Sequence, residues 1–96
     1  MFSITVREGE IFLSGRFDAS QVDQASEVFD RITTTTNVNF ADLDYISSAG
    51  LGVLLKTQKR LREKGEGLIL VRMKKMVRDV FRIARFDLVF EITSEE

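Results

Sequence analysis

The chain has 96 residues, enough for one two-layer core and too few for two. With 44% hydrophobic residues, 30% charged residues and a net charge of −1, it is neither polar enough for wholesale disorder nor apolar enough for a membrane. There is no cysteine and no histidine, which excludes disulfides, thiolate nucleophiles, zinc-thiolate sites and an imidazole base, so no metal, cofactor or catalytic residue is expected.

The N-terminus, Met1-Phe2-Ser3-Ile4-Thr5-Val6, has neither the basic start nor the apolar run of a secretory signal, so a cytoplasmic protein without membrane insertion is expected. Phe2, Ile4 and Val6 alternate with Ser3, Thr5 and Arg7. A turn at Glu8-Gly9-Glu10 leads into Ile11 to Arg16, and the two runs read as a β-hairpin. Asp18 or Ser20 can cap a first helix whose buried stripe is Val22, Ala25, Phe29 and Ile32. The Thr33-Thr34-Thr35-Thr36 run resists helix, because its hydroxyls compete for backbone bonds, and feeds a short strand over Asn37 to Phe40.

Then comes Tyr45-Ile46-Ser47-Ser48-Ala49-Gly50-Leu51-Gly52, where an extended segment turns into a second helix. That helix should run from about Gly50 to Lys64, bury Leu51, Leu54, Leu55 and Leu61, and end at Gly65. Serine at such a boundary can cap the helix, or it can present its hydroxyl for modification. Both readings apply to Ser48, and Ser47 reads as a cap or turn residue. Gly50 and Gly52 should permit a tight turn and a close approach of helix to sheet. They do not cradle a nucleotide, since no Gly-Lys-Ser/Thr follows.

Leu68-Ile69-Leu70-Val71 suits an interior strand. A third helix near Lys74 to Ala84 should turn Met76, Val77, Val80, Phe81 and Ala84 inward and leave Lys74, Lys75, Arg78, Arg82 and Arg85 outward. Leu88-Val89-Phe90 should form a terminal strand. The alternation of strand and helix predicts an α/β fold of two layers. Four to five strands in a mixed, mostly parallel sheet would carry packed helices, in one domain spanning 1–96.

Charge is unevenly spread. Leu51 to Phe86 carries eleven bases against three acids, whereas the first fifty residues carry eight acids and three bases. Such a dipole is either a solvated helix face or a surface that steers an acidic partner. Nucleic acid is not expected, because no aromatic residue interleaves the basic helix. A serine-lysine pair of Ser48 and Lys56 would lie two helical turns apart, too far for proton transfer, so no enzyme activity is expected.

The order of elements resembles a STAS domain, the fold of bacterial anti-sigma-factor antagonists. Three segments carry the resemblance: Gly15-Arg16-Phe17-Asp18-Ala19, Ile46-Ser47-Ser48-Ala49-Gly50-Leu51-Gly52, and Arg85-Phe86-Asp87-Leu88-Val89-Phe90-Glu91-Ile92. It implies a non-enzymatic switch protein that binds an anti-sigma factor, itself a serine kinase of the histidine-kinase-like ATPase type, with a phosphatase as a further partner. It also implies phosphorylation at Ser48, which releases the partner, and partner binding by Asp18, Ser47, Ser48, Ala49, Gly50, Leu51 and Gly52. Two positions depart from the pattern: Ser47 and Asn39 stand where the antagonists have aspartate. That departure favours an alternative, an unphosphorylated STAS subunit of a larger complex such as a stressosome-like scaffold or a lipid-transport ATPase. The family's C-terminal helix is expected to be truncated, since the sequence ends at Thr93-Ser94-Glu95-Glu96.

Overall fold

The computed structural model describes residues 1–93, so Ser94 to Glu96, where the expected truncation of the last helix falls, lie outside the described residues. Strands β1 (Ser3–Arg7) and β2 (Glu10–Phe17) form the expected hairpin, with Arg7 opposite Glu10. Glu8 and Gly9 between them both have positive φ, 52° and 80°, as a tight two-residue hairpin turn demands.

A 3-10 turn, Ala19–Gln21, leads into α1 (Val22–Phe29), which buries Ala25 and Phe29 and half-buries Val22. Next come β3 (Thr36–Ile46), α2 (Ser48–Arg62), β4 (Leu68–Val71) and α3 (Lys75–Ile83). A second 3-10 turn (Phe86–Leu88) precedes β5 (Glu91–Ile92).

The five strands lie in sequence order, with β1 antiparallel to β2 and every other neighbour parallel. Right-handed crossovers in one direction put all helices over one face. Burial agrees: Ile11, Leu13, Val38, Phe40, Leu68 and Leu70 are buried beneath the helices, while Phe12, Asn37, Asn39 and Ile69 on the other face are not. That open face is stitched by polar and stacking contacts. Ser3 Oγ meets Ser14 Oγ, Asn39 Nδ2 donates to Glu10 Oε2, and Arg7 lies 4.1 Å above the Phe12 ring.

Two strand boundaries and the buried face of α3 differ from what the sequence predicts. β3 runs on to Ile46 instead of ending at Phe40, because two register shifts against β2 reset its inward phase. After Val38 and Phe40 the inward residues become Leu43 and Ile46. Asn39 Oδ1 accepts the Ala41 amide at 2.9 Å, a local turn that fixes the first shift.

The terminal strand is Glu91–Ile92, not Leu88 to Phe90. Leu88 ends the second 3-10 turn, and Phe90 is buried against Phe81 and Phe86. In α3 only Val77 and Phe81 are buried, in line with Met73 one turn earlier. Met76, Val80 and Ala84 are exposed, because α3 stands at the margin of the helical layer and only one row of its side chains reaches the core.

Candidate functional site

Two parallel strands end side by side, with Phe17 of β2 in register with Ile46 of β3. The Ser47 amide donates to the Phe17 carbonyl at 2.9 Å, joining the two strand ends into one rim. Asp18 and the Ser47 to Gly52 segment therefore meet at the carboxyl ends of the strands, where open α/β sheets bind their ligands.

Asp18 is half-buried and caps the first 3-10 turn. Its Oδ1 accepts the Ser20 amide at 2.9 Å, and its own amide donates to Gln21 Oε1 at 2.7 Å, a reciprocal capping box. Of the two cap candidates on that loop, Asp18 takes the role and Ser20 supplies the amide.

Helix α2 begins at Ser48, two residues before the expected start. Ser47 is the cap, accepting the Gly50 amide on Oγ at 3.3 Å, while the Leu51 amide donates to the Ser47 carbonyl. Ser48 is thus the first residue of a 15-residue helix, exposed and without cap duty. With the Gly50 and Leu51 amides both bonded to Ser47, the amides of Ser48 and Ala49 are left without a partner among the described residues. An aspartate in place of Ser47 would cap the helix in the same way, so fold formation does not require the charge that is missing there.

The glycines divide. A Cβ on Gly50 would sit 2.9 Å from Ile46 Cγ1, 3.0 Å from the Phe17 carbonyl oxygen and 3.1 Å from Phe17 Cγ. Gly50 therefore lets α2 touch both strand ends. A Cβ on Gly52 would meet nothing within 4 Å, so the expected packing role does not hold there. Gly52 is exposed one turn beyond Ser48 on the same side of the helix. Together with Ala49, Lys56 and the α1 residues Val22 and Ser26, it lines a shallow cleft of about 320 Å³ between the two helices. Leu51 is 7% exposed and belongs mostly to the core.

Two acids close to the motif point elsewhere. Asp44 pairs with Lys74 at the start of α3, and hydrogen bonding to that ammonium holds its carboxyl below the ordinary carboxylate value. Asp42 is exposed on β3, opposite Ser14. The rim also carries a pair that motif reading missed: Arg16 lies 4.2 Å above the ring of Tyr45, its partner across the β2–β3 ladder. The signal was available, since each residue stands one position before a strand end, but only the strand register reveals that they meet.

Comparison with known proteins bears on this rim. Residues 2–96 match the STAS domain family. The chain belongs to that family. A 52-residue stretch is 46% identical to BtrV of Bordetella bronchiseptica, a protein provisionally named as an anti-sigma factor antagonist; the match covers 54% of this STAS domain and 45% of BtrV. The chain thus spans under half the length of that curated relative. The fold matches the anti-sigma factor antagonist SpoIIAA in its unphosphorylated form with a TM-score of 0.71 at 20% identity, covering 100% of this chain and 90% of that one. Bacillus SpoIIAA in its phosphorylated form gives 0.68 at 21% identity, covering 99% and 93%. Among the described residues no helix of this STAS domain is long and apolar enough to cross a membrane, and no acidic cluster could hold a metal ion.

Proposed function

We propose that this STAS domain is an anti-sigma-factor antagonist. It binds an anti-sigma factor that is also a serine kinase of the histidine-kinase-like ATPase type, and phosphorylation of Ser48 ends the binding. The observation that carries the reading is the exposed Ser48 hydroxyl at the head of α2, with capping delegated to Ser47. The kinase would move the γ-phosphoryl group of ATP onto Ser48 Oγ, leaving ADP, with the hydroxyl proton passing to a base on the kinase. A phosphatase would restore the hydroxyl by hydrolysis.

The physics of release follows from position. A phosphate adds roughly −1.5 to −2 charges and three acceptor oxygens. Within this chain it would face the free amides of Ser48 and Ala49 and the positive end of the helix dipole, a gain of about 0.3–1 kcal/mol. The fold need not change, and the likeness to both forms of SpoIIAA supports that. Against a partner, the same group would be stripped of water where the uncharged surface had packed closely, and the complex would separate. Gly52 supports close packing, since a partner can approach the α2 backbone there without meeting a side chain.

Affinity capture with wild type, Ser48→Ala and Ser48→Asp tests this, with bound proteins read by mass spectrometry. The kinase-like ATPase should be retained by wild type and Ser48→Ala and lost by Ser48→Asp. Retention of the same scaffold or transporter subunits by all three would refute the antagonist reading in favour of a structural STAS subunit.

A further inference from the structure

The two edges of the sheet are built differently. β5 is two residues long, a length that by itself discourages pairing with another chain. β1 is five residues long, its pairing with β2 has no bulge, and from Phe2 to Val6 it carries no charge and no proline. The usual devices that blunt an edge are absent until Arg7.

The hairpin fixes which backbone groups point outward. In a two-residue hairpin the closing pair, here Arg7 and Glu10, exchanges both of its hydrogen bonds, and bonded pairs then recur at every second residue. Ser3, Thr5 and Arg7 therefore direct their N–H and C=O groups to β2. Ile4 and Val6 direct theirs to the free edge. Their side chains lie on the helical side of the sheet with Phe2, but the helical layer stops short of them: Phe2 is buried, Ile4 half-buried and Val6 52% exposed.

We propose that β1 is a self-association edge and that its occupant is β1 of a second copy, antiparallel and centred on Thr5. In that register Ile4 stands opposite Val6 of the partner subunit, and Val6 opposite Ile4 of the partner subunit. The outward N–H and C=O groups of these residues meet in the hydrogen-bonded geometry, and the exposed valine packs on an isoleucine across the strands. Ser3 faces Arg7 of the partner subunit on the open side, so no like charges oppose each other. The segment is self-complementary in both backbone and side chain, as a two-fold interface requires. The axis stands normal to the sheet, so the helices of both copies share one side and ten strands run continuously. This geometry does not depend on Ser48. Taken with the proposed function, it sets the two α2 rims at opposite ends of the sheet, so one dimer could engage two partners.

Such an edge is small, and the association should be weak, in the micromolar to millimolar range. Sedimentation equilibrium from ~10 μM to ~1 mM should show the mass rising from 11.0 kDa toward twice that value. Val6→Pro deletes an outward N–H without touching the β2 ladder, and Val6→Lys places a charge on the exposed apolar edge. Both should stay monomeric with near wild-type melting, and in the wild type the Ile4 and Val6 amides should exchange more slowly as concentration rises. A wild type that is monomeric throughout, a dimer that survives both substitutions, or a dimer abolished by Ser48→Asp would each overturn the edge assignment. No kinase takes part, so the outcome is independent of the antagonist reading.

Discussion

Gly50 and Gly52 sit two residues apart in one motif and answer to different forces. Gly50 has a folding reason that contact geometry states outright, because any side chain there collides with Phe17 and Ile46. Gly50→Ala should destabilise the protein by about 1–3 kcal/mol, the usual cost of overpacking a tight contact. Gly52 has open space around it and a helical backbone, so Gly52→Ala should stabilise by about 0.5–1 kcal/mol. Urea unfolding of the two variants checks both signs. A gain in stability together with weaker capture of the partner would show that the glycine serves the surface and not the fold. Sequence placed both residues at the turn but could not separate them, since the distinction lies in which side of the helix meets the sheet.

At the scale of elements, the hairpin and the body of α2 were legible because their apolar spacing is regular, and β4 because it is a continuous apolar run, although α2 starts and ends two residues earlier than expected and leaves Leu55 half-buried. The C-terminal half of β3 was not, because its two register shifts break the alternation that marks a strand. The margin of α3 was misjudged for a related reason. An apolar arc tells how much of a helix could be buried, and only the width of the neighbouring layer decides how much is. Conversely, the structure shows a clamp that no periodicity announces. Arg60 on α2 donates from one guanidinium nitrogen to the Ile32 carbonyl at 2.8 Å and from the other to the Phe29 carbonyl at 2.9 Å. It ties down the exit of α1, where the negative end of the dipole welcomes a cation and the Phe29 carbonyl, which already accepts the Ile32 amide, has a lone pair to spare. Arg60→Met should cost about 1–2 kcal/mol, since bonds to a charged donor are worth more than neutral ones and water can partly replace them here. The loss should appear in thermal unfolding, with faster amide exchange in α1 than in α2.

For the whole molecule, the charge asymmetry read from the sequence is partly neutralised, once across elements and twice within α3. Lys74 meets Asp44 of β3, and Lys75 and Arg82 share Asp79. With no histidine, no imidazole titrates between about pH 5 and 8, and stability should be flat there. Acid is different. Asp44, bonded to Lys74, and Glu66, whose carboxylate accepts the Thr35 hydroxyl and amide, both have carboxyls held below their ordinary values of 3.8 and 4.5. A lowered folded value means that stability is fully present above those ordinary values and is lost as pH falls through the folded ones. Melting temperature should therefore hold to the upper end of that range and decline below it. Asp44 is exposed and Glu66 only half-buried, so the decline should be shallow and weaken in salt. Asp44→Asn should flatten part of it in a melting series from neutral to acid pH. The candidate site was legible as a set of residues because the motif is contiguous. Asp18 joined that set only through the family resemblance; its place beside the motif and the stacking of Arg16 on Tyr45 follow from the parallel register of β2 and β3.

The start of α2 is held from three directions: the Ser47 amide on the Phe17 carbonyl, the Ser47 hydroxyl under the Gly50 amide, and Gly50 itself wedged against two strands. On the proposed reading, a helix anchored in this way would let a phosphate arrive at Ser48 without shifting the rest of the chain. The tempo of any such signal would then belong to the enzymes that write and erase it, and the chain's part would be that of a page held still.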